Sequence, residues 1–359
     1  MAYQLPDKLK SLTPYDPVTE SYRVAVNANE SFLDLPDALR EEVLAAIREV
    51  PFNRYPDPAC RKLRELAAAY FGVKPENLAA GNGSDELIGL IVNSFLQPGD
   101  TLAVAMPDFS MYAFYAQLAG IGVVDVTKAS GREGDAALPV AADDVIRAVK
   151  EAGAKMFIFS NPCNPTSLLL DKAGVQRIIR ELPDVLVVAD EAYMEFADDA
   201  SVLAEAVESD HVIVLKTCSK AFGCAGIRLG FAAAGERLAG LINTVRSPYN
   251  VNSLTQAAGC VLFSHPEWLA EAKRRIVASR EALYAGLSEL AARVPGVEIP
   301  YPPQTNFVFF RVPDAGAVYR ALLAEGIAVR HMGEFLRVSA GSVEENRAVM
   351  TALEAILAG

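Results

Sequence analysis

Residues that bind metals or form disulfides are scarce in this sequence. Its 359 residues include five cysteines and three histidines, the latter scattered at positions 211, 265 and 331. No two cysteines form a Cys-x-x-Cys pair, and neither residue type clusters at the spacing of metal ligands. We therefore expect no metal site, and we expect the thiols to be reduced and mostly buried.

Long apolar runs and an excess of positive charge are also lacking. A membrane-spanning helix needs about 18 uninterrupted apolar residues, and no stretch of this sequence approaches that length. The opening segment MAYQLPDKLKSL lacks the apolar core of a signal peptide, which predicts a cytoplasmic protein. The formal net charge of −12 disfavours nucleic acid and anionic membranes as partners, and any arginine that binds an acidic ligand must act locally.

The composition is that of a globular protein with room for two domains. Hydrophobic residues make up 52% and charged residues 22% of the chain. Strand-like apolar segments alternate with helical ones, which indicates an α/β fold with a mostly parallel sheet covered on both faces. Ligands of such sheets bind beyond the carboxyl ends of the strands. The predicted strands are residues 101–105, 123–126, 155–160, 185–189 and 212–215.

The pattern changes near residue 248. Two long helical segments, 253–263 and 267–293, are followed by a strand-turn-strand pattern over 296–311 and by further helix and strand signals. This favours a smaller α+β unit after the sheet. We predict an N-terminal arm over 1–30 that joins the small domain, a large domain over 31–247 and a small domain over 248–359.

The segment VIVLKTCSKAFGCAGIRLGF, residues 212–231, joins a buried strand to a turn of small residues. Lys220 lies just past the strand, where poor solvation lowers the pKa of an amine. It is a candidate nucleophile toward a carbonyl or an aldehyde cofactor. Arg228 can bring a guanidinium fork to the same place, which suits a phosphate. A surface lysine with a structural arginine is the alternative.

Three further polar groups lie at strand ends or helix starts. The segment GNGSDE, residues 81–86, opens a helix whose free amides favour an anion, although an ordinary capped helix reads the same way. Asn164 lies in a breaker-rich turn after one strand, and Asp190 and Tyr193 follow another. Together with Lys220 they predict one ligand site at one edge of the sheet.

An amine, a carboxylate, a neutral polar pair and a phosphate cradle are what pyridoxal phosphate needs. Its aldehyde condenses with a lysine, and a carboxylate keeps the pyridine nitrogen protonated so that the ring can accept electrons. Asp190, at the end of an apolar strand, needs a cationic partner to stay charged. Asn164 and Tyr193 can bind the ring's 3-oxygen. A helix-capping acid and a core tyrosine are the alternatives for Asp190 and Tyr193.

A set of motifs in order along nearly the whole chain resembles the fold-type I pyridoxal-phosphate-dependent aminotransferases. Within that superfamily the set looks most like the histidinol-phosphate aminotransferase family. The resemblance implies a fold-type I α/β fold with a smaller α+β domain, and pyridoxal 5′-phosphate as cofactor. The motifs are NANE at 27–30, RYPD at 54–57, GNGSDE at 81–86, NPCNPT at 161–166, DEAY at 190–193, SKAFGCAGIRLG at 219–230, SPYNVN at 247–252 and TNF at 305–307.

The resemblance also implies a role for each candidate residue. Lys220 would carry the cofactor aldehyde, and Asp190 would meet the pyridine nitrogen. Asn164 and Tyr193 would contact the 3-oxygen, and Phe109 would stack on the ring. The cofactor phosphate would be held by Ser84, Asp85, Thr217, Ser219 and Arg228, and by Tyr55 of the neighbouring subunit, which implies a homodimer.

Two arginines near the end of the chain are implied to bind the substrate, together with Asn164. Arg337, in FLRVS, matches the arginine that the family uses for the acidic end of the substrate. Arg330, in AVRHM, lies where histidinol-phosphate enzymes carry a second arginine. Two guanidinium forks bind a phosphate or a dicarboxylate better than one. A surface strand residue is the alternative for each.

The implied reaction moves an amino group between histidinol phosphate and 2-oxoglutarate, in histidine biosynthesis, with Lys220 as general base. An aromatic amino acid aminotransferase shares every cofactor residue and stays open as an alternative. A phosphothreonine decarboxylase-type lyase and a non-catalytic binding module stay open too. Arg330 favours a phosphorylated or dianionic substrate.

The sequence departs from the family pattern in two respects. Ser167 replaces the glycine of the usual NPTG, so the turn is expected to differ because serine resists positive φ. Cys163, Cys218 and Cys224 lie within or beside the motifs. We expect them to be packing residues, with the further hypothesis that a thiol near an aldehyde makes the enzyme sensitive to oxidation.

Overall fold

Strands and helices alternate along most of the chain. The structure, a computed structural model, describes residues 3–10, 20–126, 141–197 and 200–358, so parts of the predicted arm lie outside it. The strands are β1 (Val24–Ala25), β2 (Leu78–Gly81), β3 (Thr101–Val104), β4 (Gly122–Asp125), β5 (Met156–Ser160), β6 (Leu186–Asp190), β7 (Val212–Thr217), β8 (Gly230–Ala233), β9 (Phe307–Arg311), β10 (Ile327–Ala328), β11 (Arg330–Met332) and β12 (Phe335–Ser339). The α-helices are α1 (Asp7–Lys10), α2 (Asp37–Arg48), α3 (Arg61–Phe71), α4 (Ser84–Phe95), α5 (Met111–Ala119), α6 (Ala142–Glu151), α7 (Lys172–Glu181), α8 (Leu203–Val207), α9 (Glu236–Val245), α10 (Ser253–Phe263), α11 (Pro266–Arg293), α12 (Ala315–Ala324) and α13 (Val343–Ala358).

Seven strands form the main sheet, in the order β2-β8-β7-β6-β5-β3-β4. The strands from β7 to β4 pair in parallel, whereas β8 runs antiparallel to both of its neighbours. β5 and β7 are buried along their whole length, as strands covered on both faces must be. The predicted α/β fold with a mostly parallel sheet is confirmed.

Helices cover both faces of this sheet. Because side chains alternate along a strand, Ile213 and Leu215 of β7 pack in the apolar cluster of α4, α5 and α9. Val212 and Val214 point the other way and pack with α6, α7 and α8. In the part of the chain that the structure describes, the faces of these strands are covered, so a site is expected at the edge where the parallel strands end.

A smaller antiparallel sheet, in the order β11-β12-β9, carries a separate apolar cluster with α11, α12 and α13. β1 pairs in parallel with β10, and Val24 and Val26 belong to this cluster, so this part of the arm packs with the smaller unit. α10 packs against α2 and α3 instead. The boundary at 247/248 stays a prediction.

One predicted element of the smaller unit is wrong. The first strand of the pair expected over 296–311 is not formed, and only an isolated bridge joins Glu298 to Arg311 ahead of the long strand β9. Pro300, Pro302 and Pro303 lie in this segment. Proline lacks the N–H that a strand ladder requires, which accounts for the missing strand.

Candidate active site

The candidate residues converge because neighbouring parallel strands end side by side. Ser160 at the end of β5 is in register with Asp190 at the end of β6, and Asp190 with Leu215 of β7. Asn164 lies four residues past β5, and Lys220 lies three residues past β7. The sheet therefore brings an amide, a carboxylate and an amine to one edge, as the alternation pattern predicts.

Asp190 is a buried carboxylate with one hydrogen-bonded side chain partner. It is 4% exposed, and its Oδ2 accepts a hydrogen bond of 2.8 Å from the hydroxyl of Tyr112. Its Oδ1 accepts one of 3.0 Å from the amide of Ala192. Burial raises the pKa of Asp190 to about 6, and the hydrogen bonds from Tyr112 and Ala192 oppose that rise. A nearby cation stabilises the charged form of such an acid, and a protonated pyridine nitrogen can be that cation.

Lys220 lies between Tyr193 and the segment that precedes α2. Its Nζ donates a hydrogen bond of 3.1 Å to the carbonyl of Ala28 and lies 5.8 Å from the centroid of the Tyr193 ring. The side chain is partly buried. The amine therefore shares one wall of the site with Tyr193, as their proposed roles require.

Tyr193 is held by an asparagine that the sequence did not single out. The amide Nδ2 of Asn29 donates a 2.9 Å hydrogen bond to the phenol oxygen, and Asn29 is itself tied to Ser339 of β12. Burial raises the pKa of Tyr193 to about 12, against the opposing effects of Arg337 and Asn29. The phenol is therefore neutral at pH 7 and able to donate to an oxyanion. The motif NANE was the only signal for Asn29.

Arg337 meets Asn164 at the same place. Its guanidinium is largely buried, donates to Oδ1 of Asn164 and to the carbonyl of Asn27 at 3.0 Å, and lies 5.1 Å from the Phe307 ring centroid. Arg330 stands directly opposite Arg337 in the β11–β12 pairing. Opposed residues of antiparallel strands share a face, so the two guanidinium groups lie on one side of the small sheet.

An anion cradle is formed where α4 begins. A side chain at Gly83 would place its Cβ 2.7 Å from Nη2 of Arg228, so the arginine reaches the start of the helix. Nη1 of Arg228 lies 3.4 Å from Oγ of Ser219. The backbone amide of Ser219 donates a 3.2 Å hydrogen bond to Oγ1 of Thr217. A guanidinium, two hydroxyls and the free amides of a 12-residue helix thus converge, which suits a phosphate.

Two residues of the cradle have particular constraints. Gly230 must be glycine, because a Cβ there would lie 2.4 Å from the backbone nitrogen of Ser84. The carboxylate of Asp85 accepts a hydrogen bond of 3.1 Å from the Tyr115 hydroxyl. A carboxylate repels a phosphate, so Asp85 is expected to contribute its backbone amide to the anion.

Two aromatic candidates occupy different positions. Phe109 lies in the turn between β3 and α5, and its ring meets that of Tyr112 edge to face, with centroids 5.6 Å apart. Since Tyr112 binds Asp190, Phe109 belongs to the converging group. Tyr55 does not belong to it. The residue is 78% exposed, and its ring stacks on that of Tyr249 with centroids 4.3 Å apart. An accessible ring is what a contact with a neighbouring subunit requires, and that role stays a prediction.

Comparison with known proteins decides the family. The model of the family "Aminotransferase class I and II" matches residues 23–353. The chain belongs to this family. It is therefore an aminotransferase that acts on small molecules, and pyridoxal phosphate is its cofactor. The predicted enzyme class and the predicted cofactor are both confirmed.

Relatives of this aminotransferase carry a common name. It is 35% identical over 353 residues to a histidinol-phosphate aminotransferase of Clostridium novyi, covering 96% of this chain and 95% of the relative. It is 37% identical to one of Thermococcus gammatolerans, covering 98% and 97%. A solved histidinol-phosphate aminotransferase of Sinorhizobium meliloti, in complex with pyridoxal-5′-phosphate, superimposes with a TM-score of 0.87 at 24% identity, covering 100% of this chain and 98% of that one. This likeness confirms the fold-type I fold.

The side chains present fit pyridoxal phosphate. The cradle at Gly83 and Arg228 suits its phosphate, the buried acid Asp190 suits its ring nitrogen, and the amine of Lys220 lies within the same group. Each role assigned above to an individual residue stays a prediction.

In the described part of the chain, no three His, Cys, Asp or Glu residues are arranged to hold a metal ion. The helices described there are all too short or too polar to cross a membrane.

The cysteines of the motif segments have unreactive surroundings. Burial raises the pKa of Cys163 and of Cys224 to about 12, and that of Cys218 well above its usual value. The thiolate is the reactive form of cysteine, so these thiols are poor nucleophiles at neutral pH. Their surroundings favour the expected packing role over the hypothesis of sensitivity to oxidation.

Ser167 takes the left-handed conformation that glycine would take. Its φ is +65°, so the turn does not differ in the way that the loss of glycine led us to expect. The side chain is 1% exposed, and its hydroxyl accepts a 2.7 Å hydrogen bond from the amide of Gln304 and shares one of 2.8 Å with Thr305 Oγ1. These bonds offset the backbone strain, which is about 1–2 kcal/mol.

Replacing Ser167 should rank three variants by stability. Ser167→Ala keeps the strain and leaves the Gln304 amide without its acceptor, so it should lower the free energy of unfolding by about 1–3 kcal/mol. Ser167→Gly loses the same bonds but relieves the strain, and should fall between wild type and alanine. Urea unfolding of the three proteins measures the order. An alanine variant as stable as wild type would show that the hydroxyl contributes nothing.

Proposed function

We propose that this aminotransferase transfers the amino group of histidinol phosphate to 2-oxoglutarate, in histidine biosynthesis, as a cytoplasmic homodimer. The substrate is inferred from two arginines of the small sheet. Arg330 lies opposite Arg337 in the register of β11 and β12, and Arg337 contacts Asn164. Two guanidinium groups on one face suit the dianionic phosphate of the donor. The names of the relatives from Clostridium novyi and Thermococcus gammatolerans support the same substrate.

The chain supplies a base, an acid partner and oxyanion donors. When bound, pyridoxal phosphate supplies an aldehyde that captures amines and a ring that accepts an electron pair. Lys220 would yield its place to the substrate amine, and its free Nζ would then take the proton from the substrate Cα and deliver it to the carbon that carried the aldehyde. Asp190 would hold a proton at the pyridine nitrogen, since its buried charge needs a cation. Asn164 and Tyr193 would donate hydrogen bonds to the 3-oxygen.

The substrate site would be completed by a change of partner at Arg337. Its guanidinium donates to Oδ1 of Asn164 and to the Asn27 carbonyl. A phosphate or carboxylate offers a stronger, charge-assisted acceptor than these neutral oxygens. The arginine would therefore turn part of its fork to the substrate. Nδ2 of Asn164 would donate to the ring oxygen, since Arg337 contacts Oδ1 of that amide and not Nδ2.

The donor can be identified in a half reaction. Protein loaded with pyridoxal phosphate is mixed separately with histidinol phosphate, glutamate and phenylalanine, and the visible absorbance of the lysine-bound cofactor is followed. Histidinol phosphate and glutamate should abolish it fastest. A faster loss with phenylalanine would favour an aromatic amino acid aminotransferase. Release of carbon dioxide from phosphothreonine would favour a lyase.

Arg330→Ala should weaken the phosphorylated donor selectively. A charge-assisted contact is worth about 1.5–3 kcal/mol, so KM for histidinol phosphate should rise about 10- to 100-fold while KM for phenylalanine changes little. Steady-state kinetics with both donors measure the difference. The control is Arg311→Ala, because Arg311 lies in the same sheet and pairs with Glu334 instead. An equal rise in KM for both donors would show that Arg330 does not bind the phosphate.

A shared active site can be tested by mixing subunits that carry two different defects. Tyr55→Ala should weaken the cofactor site of the other subunit, and Lys220→Ala should inactivate its own. A heterodimer of the two variants would hold one site with both native side chains. Mixed subunits, exchanged under mild denaturant, should therefore recover up to about a quarter of the wild-type activity. Sedimentation tests whether the mixed subunits are dimers. Recovery no greater than the sum of the separate variants would contradict a contribution from Tyr55 across the interface.

A further inference from the structure

Asp108 is a buried acid that the proposed mechanism does not use. It lies in the turn between β3 and α5, directly before Phe109, and is 8% exposed. Its Oδ1 accepts a 2.7 Å hydrogen bond from the amide of Phe109. The same carboxylate accepts two hydrogen bonds from Ser160, at the end of β5: one of 2.9 Å from the amide to Oδ2, and one from the hydroxyl to Oδ1.

Ser160 extends this connection to Asn164. The hydroxyl oxygen of Ser160 accepts a 2.9 Å hydrogen bond from the backbone amide of Asn164. A further bond joins the same two segments, because the thiol of Cys163 donates to the carbonyl of Pro107 at 3.3 Å. The turn that carries Phe109 and the loop that carries Asn164 are thus tied together through one carboxylate and one hydroxyl.

An ordinary helix cap does not account for Asp108. The N-cap of α5 is Ser110, and no side chain caps that helix. The bonds of Asp108 run instead to its own neighbour and to a strand end 52 residues away. Burial raises the pKa of Asp108 to about 8, whereas the donors on Ser160 and Phe109 lower it. Burying a carboxyl group costs free energy, and the oxygens of this one accept hydrogen bonds from the Phe109 turn and from the end of β5. We interpret Asp108 as a residue that positions these two segments.

We propose that Asp108 and Ser160 form a clamp that sets the position of Phe109 relative to Asn164 and thereby orients the cofactor ring. The clamp rests on the proposed function, because it takes Phe109 and Asn164 as contacts of that ring. Asp108 and Ser160 are positioning residues, since they act through the two side chains that meet the cofactor. Loss of the clamp frees the turn and the loop to move separately, which costs binding energy each time a ring is ordered between them.

The test uses Asp108→Asn and Ser160→Ala in the full-length protein. Asparagine keeps the shape of Asp108 but replaces one acceptor by a donor, and alanine removes the hydroxyl. Each variant should bind pyridoxal phosphate about tenfold more weakly in a titration of the apoprotein. The visible circular dichroism per bound cofactor, which reports the fixed orientation of the ring, should fall as well. The double variant should bind no more weakly than the weaker single variant, since both changes open one clamp.

Asn77→Ala is the matched control. Asn77 is also buried and also bridges two backbone groups, accepting from Lys74 and donating to Ala234, but it precedes β2 at the opposite edge of the sheet. It should lower the melting temperature of the apoprotein without changing cofactor affinity or ellipticity. Asp108 and Ser160 variants that behave in the same way would overturn the clamp alone. A wild-type protein that binds no pyridoxal phosphate would overturn the proposed function and the clamp with it.

Discussion

Replacing Lys220 with alanine is expected to lower kcat by about 10⁴-fold, at the upper end of what a general acid–base group contributes. The same amine is proposed both to carry the cofactor aldehyde and to move the Cα proton, so no other group replaces it. Lys216, the nearest lysine along the chain, is held by Glu191 at 2.8 Å and Glu195 at 3.1 Å within the core. Turnover of histidinol phosphate with excess pyridoxal phosphate measures the loss.

Lys74→Ala is the control for this variant. Lys74 is exposed and paired with Glu236, and it precedes the amino end of β2 rather than following the carboxyl end of a strand, so its removal should leave kcat within about twofold of wild type. Lys220→Ala should still bind the cofactor through the cradle at Arg228, without the visible absorbance of the lysine-bound form. Partial recovery with a small exogenous amine would support the proton-transfer role. Turnover at the wild-type rate would refute the assignment of Lys220.

Five of the seven strands of the main sheet could be predicted, and β2 and β8 were not. Among the predicted strands, β5, β6 and β7 are almost entirely buried, as strands covered on both faces must be. Continuous apolar runs such as that of β7 mark covered strands, and the polar residues that follow them mark the edge where a site forms. The helices of the last third were predictable for another reason. α10 begins after Asn252, which caps it through the amide of Thr255, and α11 begins at Pro266, so local residues mark both starts.

The partners of the site residues could not be predicted in the same way. Tyr112 binds Asp190 across 78 residues, and Asn29 binds Tyr193 across 164. No local pattern encodes contacts at such separations, because they depend on which strand ends the fold makes neighbours. Ser167 shows a related limit. Its positive φ is maintained by hydrogen bonds to Gln304 and Thr305, which the preference of serine alone does not reveal.

Asp190→Asn should lower kcat by about 10²–10³-fold, the usual effect of removing one preorganised electrostatic group. Asparagine keeps the shape of the side chain but has no charge to hold a proton at the pyridine nitrogen, so the ring accepts electrons less readily. It can still accept the hydrogen bond of Tyr112, which should keep the fold intact. The rate of loss of the visible absorbance after mixing with histidinol phosphate measures the effect on chemistry separately from binding.

Two further variants separate charge from position at this acid. Tyr112→Phe leaves the carboxylate in place but removes the donor at 2.8 Å, so it should lower the same rate by about tenfold at most. Asp171→Asn removes a carboxylate that caps α7 through the amide of Gly174 and that is not among the proposed site residues, so it should leave the rate unchanged. Because the donor and the charge act on one group, the double variant Asp190→Asn/Tyr112→Phe should be little slower than Asp190→Asn. Fully additive losses would mean that Tyr112 acts on the cofactor independently of Asp190.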